Sequence, residues 1–282
     1  MAFSLNDLLP KNLRRDRPII PVLRLSGAIG MNMPLRPGLS LASLEAPLAR
    51  AFAIKSAPAV AILINSPGGA AVQSHQIFQR IRGLAEEKDK KVIVAVEDIA
   101  ASGGYMIALA GDEIIVDQSS IVGSIGVVAA TFGFPKLLQR IGVERRVYTA
   151  GDKKVTLDPF QPERKADVAR IKSLQQDVHA AFIDLVKTRR GAALADDPDM
   201  FSGAFWSGER SVALGLADQV GELRAVLRER YGKDVRIKTI VTERSALRRR
   251  LGLGGYEDPM TRILDQGIAA IEERLRWSRF GL

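Results

Sequence analysis

The chain has 282 residues, which suits one main α/β domain with extensions. Its 46% apolar and 26% charged residues are ordinary globular proportions, so global disorder, collagen-like repeats and a disulfide scaffold are excluded. The absence of cysteine also excludes thiolate metal sites and cysteine nucleophiles, and two histidines, His75 and His179, disfavour a multi-histidine metal site. The net charge of +9 lies mostly in residues 1–24 and 221–282. We interpret it mainly as solvated faces, with weak attraction to phosphate or acidic surfaces as the alternative.

Residues 1–18 are interpreted as a basic N-terminal extension. Their positive charges follow the apolar residues instead of preceding them, which is not the order of a signal peptide. No stretch approaches the roughly 18 uncharged apolar residues that a transmembrane helix needs. We therefore expect a cytoplasmic protein without a transmembrane segment.

Short apolar strands alternate with helices in the first part of the main domain, residues 19–241. Strands are predicted at Ile19–Leu25, Ala59–Ile64, Val92–Val96 and Glu113–Val116. Helices are predicted at Leu41–Ala53, Ala71–Ala85 and Ala100–Ala110. Alternation at this spacing predicts βαβ units and a largely parallel sheet.

The chain becomes mainly helical beyond Pro159. A long amphipathic helix is predicted at Pro162–Arg189, with an apolar stripe that could pack within the chain or against another subunit. Shorter elements follow, with helices predicted at Ser211–Leu216 and Leu223–Tyr231 and a strand at Val235–Val241.

Two segments follow the main domain. Residues 242–259 are interpreted as a glycine-rich basic linker, and residues 260–282 as an amphipathic C-terminal helix with arginines and aromatic residues. Such a helix can lie on an anionic membrane surface, which predicts peripheral membrane contact. Packing on a partner or on the domain itself is at least as good an interpretation.

Three glycine-rich turns follow predicted strands, at Asn65–Gly69, Ala101–Gly104 and Gly123–Gly126. At the end of a parallel strand such a turn presents backbone N–H groups, which can hold a phosphate or the oxyanion that develops during acyl transfer. Neither the dinucleotide-binding glycine pattern nor the P-loop pattern is present, which disfavours nucleotide binding. A purely structural role for each turn is the alternative.

Ser102 lies between Ala101 and two glycines at a predicted strand-to-helix junction, a place that suits a nucleophilic serine. Such a serine needs a base. Both histidines lie on predicted helices and His179 is expected on the surface, so a Ser-His-Asp triad is poorly supported. A lysine could act instead if burial lowers its pKa from about 10.4 towards neutrality, but the pattern alone does not select one.

Six segments, in order along the chain, carry a resemblance to a known family. They are Asn65-Ser66-Pro67-Gly68-Gly69, Ala101-Ser102-Gly103-Gly104-Tyr105, Val122-Gly123-Ser124-Ile125-Gly126-Val127, residues 151–160, Phe205-Trp206-Ser207-Gly208 and residues 215–221. Together they resemble peptidase family S49, the group of signal peptide peptidase A and SohB-like proteases, roughly from Ile19 to Leu223. Each motif is weak alone, whereas the ordered set is specific.

The resemblance implies a single-domain member with a Clp-protease- or crotonase-like α/β fold. This fold has repeated β-β-α and βαβ units, a mostly parallel sheet and here a C-terminal helical extension. The resemblance also implies a Ser-Lys catalytic dyad that needs no metal or organic cofactor. Carried over by position, the roles are Ser102 as nucleophile, Lys154 as general base with Lys153 as its competitor, Ser124 as the residue that orients the base, and the backbone N–H groups of Gly69 and Gly103 as the oxyanion hole.

An endopeptidase of this kind is expected to cleave hydrophobic peptides, such as signal-peptide remnants or misfolded and membrane-released segments. Short members of the family assemble into rings, so we expect a homo-oligomer, for example an octamer. The base would come from the same chain or from a neighbour. Its position downstream in this chain favours a complete dyad in each subunit.

Other functions stay open at this point. A crotonase-like acyl-CoA enzyme would share the fold and the oxyanion hole but would use carboxylates such as Glu97 and Asp98. A noncatalytic basic scaffold would rest on charge alone, and no motif specific for nucleic acid is found. A phage-capsid-type processing peptidase is a further activity within the family. The ordered set of Ser102, Ser124 and Lys154 favours peptidase chemistry.

Overall fold

The computed structural model describes residues 17–30, 38–151 and 153–241, together with Trp277 and Phe280. The predicted extension 1–18 lies outside the described residues except for its last two positions. The predicted linker 242–259 lies outside them entirely, and the predicted C-terminal helix 260–282 does so except for the two aromatic residues.

An eight-stranded sheet forms the centre of the described chain. Its strands are β1 (Ile19–Ser26), β2 (Ala59–Ser66), β3 (Lys91–Ala101), β4 (Glu113–Val116), β5 (Ile121–Gly123), β6 (Phe205–Ser207), β7 (Gln219–Val220) and β8 (Arg236–Ile240). Their order is β6-β5-β3-β2-β1-β8, with β4 beside β3 and β7 beside β4. Every pair is parallel except β5 with β6, which confirms the predicted mostly parallel α/β sheet.

Helices cover both faces of this sheet. They are α1 (Leu41–Phe52), α2 (Ala71–Glu87), α3 (Gly103–Ala108), α4 (Pro135–Arg140), α5 (Lys165–Arg190), α6 (Gly208–Ala213) and α7 (Leu223–Tyr231), with a short 3-10 turn at Gly191–Ala193. One face packs against α1, α2, α3 and the C-terminal part of α5, and the other packs against α7. Because both faces are covered, β2 is apolar at successive positions, as buried parallel strands are.

Strand β3 changes partner along its length, and this change positions the site. Its residues Ile93–Val96 pair with β4, whereas Ile99–Ala101 pair with β5. A register shift between β2 and β3 at Ile64 and Ser66 accompanies the change. The carboxyl ends of β2, β3 and β5 therefore meet at one edge, which is where ligands bind in open parallel sheets.

Most predicted elements are confirmed within a few residues, and the exceptions have physical reasons. The helix predicted at Ala100–Ala110 begins only at Gly103, because Ala100 and Ala101 still pair with β5. The sequence does not predict β5, β6 and β7, since two or three residues carry no periodicity. Helix α4, with six residues, is also missed.

Residues 127–164 form a segment that we call the arm. It leaves the sheet after Gly126, contains α4 and returns to the rest of the protein, the body, at the start of α5. None of its described residues is buried, and Phe132 and Tyr148 are 77% and 90% exposed. A single chain therefore leaves the apolar side chains of the arm in contact with water.

Helix α5 continues this contrast along its own length. Its C-terminal half packs on the core through Phe182 and Val186, whereas Leu174 in its N-terminal half is exposed. The apolar stripe predicted at Pro162–Arg189 is thus only partly covered within one chain. No helix in the described ranges is long and apolar enough to cross a membrane.

Candidate active site

Ser102 stands at the junction between β3 and α3. Its N–H donates to the Gly123 carbonyl at 2.8 Å, and its own carbonyl accepts from Met106 N–H at 3.0 Å. These bonds hold it at φ 51° and ψ −121°, a conformation that costs a non-glycine residue about 1–3 kcal/mol and is enriched at functional sites. The side chain is only partly buried, and its hydroxyl has no hydrogen-bond partner within the described ranges.

Ser124 lies next to Ser102 because their strands are neighbours in the sheet. Ala101 is in register with Gly123, so the two serines are the first residues beyond paired strand ends. Ser124 is also a non-glycine residue with positive φ, at 54°, and its N–H donates to the Ala204 carbonyl at 2.6 Å. Two adjacent strained serines are an unusual arrangement that points to a functional site.

The first glycine turn is held too closely for any larger residue. A Cβ atom on Gly69 would lie 2.1 Å from the Ile29 carbonyl oxygen. A Cβ atom on Gly68 would lie 2.8 Å from Ser102 Cβ and 2.9 Å from the Gly103 nitrogen. The backbone of this turn therefore packs directly against the nucleophile candidate and the start of α3.

Two backbone N–H groups beside Ser102 have no partner in regular structure. Ile29 N–H donates to the Gly68 carbonyl and Ala70 N–H donates to the Ile29 carbonyl, both at 2.9 Å, which leaves the Gly69 N–H out of that bridge. Gly103 is the first residue of α3, so its N–H has no intrahelical acceptor. The two N–H groups are close neighbours, since a Cβ atom on Gly103 would lie 3.3 Å from the Gly69 nitrogen. Paired donors of this kind can hold an oxyanion.

The hydroxyl groups of two buried serines, Ser66 and Ser74, hold the first glycine turn in place. Ser66 Oγ donates to the Gly27 carbonyl at 2.7 Å and accepts from Gly68 N–H at 3.3 Å. Ser74 Oγ donates to the Ala70 carbonyl at 2.9 Å and fills the space that a side chain at Gly103 would need. Sequence reasoning missed Ser74, whose only signal is a small polar residue on the inner face of α2.

The motif at residues 215–221 supports α3 instead of contributing chemistry. The Tyr105 hydroxyl donates to the Leu216 carbonyl at 2.9 Å, and burial raises the pKa of this phenol. The Asp218 carboxylate accepts from Ile114 N–H at 2.6 Å and pairs with Arg190 at 2.9 Å. The helix that follows Ser102 is thereby attached to the segment that leads into β7.

Lys154, the base candidate, is in a different environment from the serines. It lies in the arm and is exposed, as is its competitor Lys153. Within the part of the chain that the structure describes, no hydrogen bond joins the Lys154 side chain to Ser102 or Ser124. One chain thus brings Ser102, Ser124, Gly69 and Gly103 together and leaves Lys154 in solvent.

The segment after Lys154 nevertheless makes specific contacts with the rest of the arm. The Asp158 carboxylate accepts from Arg145 at 2.5 Å, and that guanidinium lies 5.2 Å from the centre of the Phe160 ring. Phe160 in turn lies 5.8 Å from Phe134, whose N–H donates to the Pro159 carbonyl at 2.6 Å. The Asp-Pro-Phe motif therefore connects the segment around Phe134 and Arg145 to the returning segment of the arm near the base candidate.

The carboxylates of the acyl-CoA alternative are already partnered. Glu97 accepts from Arg24 Nε at 2.6 Å, and Asp98 accepts from Asn65 Nδ2 at 2.6 Å. Strand alternation places Glu97 on the sheet face opposite α2 and α3. Neither carboxylate is joined to Ser102 by a hydrogen bond among the described residues, which disfavours that alternative.

The two histidines differ in their surroundings. His75 is exposed on α2 and stacks on Phe78 with ring centres 6.2 Å apart. The expectation that His179 is a surface residue is wrong. It is half-buried, with Nε2 3.1 Å from the Ile125 carbonyl oxygen, because the packed half of α5 runs beside the end of β5. Among the described residues, neither histidine is hydrogen-bonded to Ser102.

Comparison with known proteins identifies relatives that cover most of the chain, including the segment from Ser102 to Lys154. The model of Peptidase family S49 matches residues 85–236. The chain is 28% identical to a protein named putative protease slr0021 from Synechocystis, over 81% of this chain and 82% of that protein. A solved structure of a membrane-bound stomatin-specific protease aligns at a TM-score of 0.48 and 16% identity, over 80% of this chain and 98% of the other.

A longer relative is named as an antiporter and not as a protease. The chain is 57% identical to a Brucella abortus protein named Na(+)/H(+) antiporter NhaA, over 99% of this chain. It spans only 39% of the length of that protein, and the name describes the longer protein.

Proposed function

Because the chain belongs to peptidase family S49, we propose that it is a serine endopeptidase with a Ser102–Lys154 dyad. The observation that carries the proposal is the geometry at Ser102. Ser102 has a strained backbone, and its hydroxyl has no hydrogen-bond partner among the described residues. It lies beside the N–H groups of Gly69 and Gly103, which regular secondary structure leaves unused. This arrangement suits a nucleophile next to an oxyanion hole.

The proposed reaction is acyl transfer to the serine followed by hydrolysis. Neutral Lys154 takes the proton from Ser102 Oγ as the oxygen attacks the peptide carbonyl. The N–H groups of Gly69 and Gly103 hold the negative oxygen of the tetrahedral intermediate. The ammonium group then protonates the leaving amine, and water hydrolyses the acyl-enzyme with the lysine again acting as base. Ser124 orients the lysine through a hydrogen bond.

Assembly of several copies would complete this site. A lysine that works as a base must be removed from water, and Lys154 is exposed in one chain. The arm that carries it also exposes apolar side chains, which soluble monomers rarely leave in contiguous patches. We therefore propose a homo-oligomeric ring in which neighbouring chains cover the arm and desolvate the base.

The proposed substrates are hydrophobic peptides, such as signal-peptide remnants and membrane-released or misfolded segments. The names of relatives support this class at a coarse level, since one matching protein from Enterococcus faecium is called a putative signal peptide peptidase.

The test is cleavage of a panel of apolar fluorogenic peptides across pH. Wild type should cleave, Ser102→Ala and Lys154→Ala should fall to background, and Lys153→Ala should retain activity as the matched control. The pH at which activity rises then reports the ionisation of the base. Loss of activity in Lys153→Ala but not in Lys154→Ala would move the base by one position. A folded, assembled wild type that equals Ser102→Ala on every peptide would refute the proposal.

Mixing the two inactive variants distinguishes the source of the lysine. If each site combines Ser102 of one chain with Lys154 of a neighbour, random mixing in a ring restores about a quarter of wild-type activity. If both residues come from the same chain, co-refolded mixtures stay at background. Separately assembled variants that are never exchanged provide the control.

A further inference from the structure

We propose that His179 is a positioning residue. Its hydrogen bond to Ile125, which we call the clasp, holds α5 to the turn that contains Ser124, at the point where the arm joins the body (the root of the arm). For its catalytic consequence this inference rests on the proposed function. Its structural part, the clasp itself, stands independently and is measured without a substrate.

The clasp is a single hydrogen bond between two elements that are far apart in sequence. Nε2 of His179 lies 3.1 Å from the carbonyl oxygen of Ile125, which immediately follows Ser124. A carbonyl oxygen can only accept, so Nε2 must carry the hydrogen. Ile125 is fully buried, and a carbonyl in such a place loses much when its donor is removed.

The bond lies where the arm joins the body. The chain enters the arm after Gly126 and returns through α5, so His179 and Ile125 join the returning and departing segments. No residue of α5 before His179 is buried, whereas Phe182 and Val186 beyond it are. Among the described residues, His179 is the first position of α5 whose side chain is hydrogen-bonded to the body, and the helix before it extends into solvent.

The other end of the packed half of α5 is anchored to α3. Arg189 donates to the carbonyls of Leu109 at 2.8 Å and Gly111 at 2.9 Å, directly after the helix that Gly103 begins. Ten residues separate His179 from Arg189, or about 15 Å along a helix. One rigid helix thus connects the Ser124 turn to the end of α3, and the arm projects from its free end.

This arrangement predicts how loss of the clasp affects catalysis. The donors at Gly69 and Gly103 belong to the body and do not depend on His179, so substrate binding should change little. The arm carries Lys154, and a small rotation at its root displaces the base at its far end. Misplacement by about 1 Å is sufficient to reduce a catalytic rate by about a hundredfold.

The variants separate hydrogen bonding from packing. His179→Leu keeps a side chain of comparable bulk without a donor, whereas His179→Gln keeps an N–H donor on a flexible chain. His75→Leu is the control, because it removes the other histidine of the sequence from an exposed position on α2.

Hydrogen exchange of the full chain provides the readout that needs no activity. In His179→Leu the hydrogen-bonded amides of β5 and Ser124 should exchange about tenfold faster than in wild type, while those of β2 stay unchanged. His179→Gln should exchange at close to the wild-type rate, and His75→Leu should match wild type. Unchanged exchange in His179→Leu, or equal acceleration in the Leu and Gln variants, would overturn the clasp.

Peptide cleavage measures the positioning role. His179→Leu should lower kcat about 10- to 100-fold with KM within about twofold, and His179→Gln should recover most of the loss without a change in the pH profile. Faster exchange with wild-type kcat would make the bond merely structural and refute the positioning role. If wild type cleaves nothing, the proposed function fails, while the exchange experiment still decides the clasp.

Discussion

The body and the arm differ in how closely their residues are packed. In the body, the Ser102 region is so crowded that a single Cβ atom on Gly69 would come within 2.1 Å of a carbonyl oxygen. In the arm, neither Gly142 nor Gly151 has any atom within 4 Å of an added Cβ. The proposed nucleophile thus lies in a region that is complete in one chain, and the proposed base lies in a region that is not.

It follows that the two residues of the proposed dyad, Ser102 and Lys154, depend on different interactions. The position of Ser102 is determined by strand pairing and by interlocked backbones, which one chain provides. The surroundings of Lys154 depend on covering exposed apolar side chains, which one chain does not provide. Variants in the body should therefore act on chemistry and folding, and variants of the exposed apolar residues of the arm should act on assembly.

The largest effect is expected from Gly103→Ala in the body. The new Cβ atom would lie 2.3 Å from Ser74 Oγ and 3.2 Å from Ser74 Cβ, so the Ser74 hydroxyl must leave its place and the start of α3, which carries an oxyanion donor, is pushed away from α2. We expect kcat to fall about 10²- to 10³-fold, as for loss of one such donor. Steady-state peptide cleavage measures the fall.

Gly83→Ala is the matched control for this prediction, because an added Cβ there meets nothing within 4 Å. This helix substitution should keep full activity and add about 0.5–1 kcal/mol of stability. If Gly103→Ala were as active as Gly83→Ala, the crowded turn would not contribute to the reaction.

An intermediate effect is expected from the arm. Leu137 lies on α4 and Ile141 is the C-cap residue that follows the helix, one turn further along, and both side chains are exposed. The double variant Leu137→Ser/Ile141→Ser should leave the free energy of unfolding of the body within about 0.5 kcal/mol of wild type. It should dissociate the assembly and reduce activity at least about tenfold, because desolvation of the base is lost.

Sedimentation velocity and peptide cleavage, measured on the same samples, check this prediction. Val241→Ser changes an equally exposed apolar residue in the body and should affect neither quantity. A wild type that is active as a monomer would show that the arm works without partners.

The smallest effect is expected from Tyr105→Phe. It removes the hydroxyl that donates to the Leu216 carbonyl and should lower the free energy of unfolding by about 1 kcal/mol, with activity largely kept. Urea unfolding followed by circular dichroism measures the loss. Tyr148→Phe alters a residue in the arm that is 90% exposed and should change stability by less than about 0.5 kcal/mol. Equal losses in the two variants would contradict the contrast between body and arm.

Much of the body could be predicted from the sequence. Apolar runs and breakers located β1 to β4 and α2, because local periodicity reflects burial on a sheet or helix face. The glycine turns and Ser102 were found as a pattern, and resemblance added Ser124 and Lys154. The contact of His179 with Ile125 could not be predicted, since the two residues are 54 positions apart and nothing local marks the pair.

Local sequence patterns were sufficient to predict β1 to β4, most of the longer helices, the parallel class of the sheet and the residue types at the strand ends. These features depend on interactions between residues close in the chain. Three features depend on the folded chain: Ser102 and Ser124 lie side by side, Gly103 has no room for a side chain, and Lys154 is exposed. Each of these depends on which distant segments pack together, and strand pairs of three residues leave no trace in local periodicity.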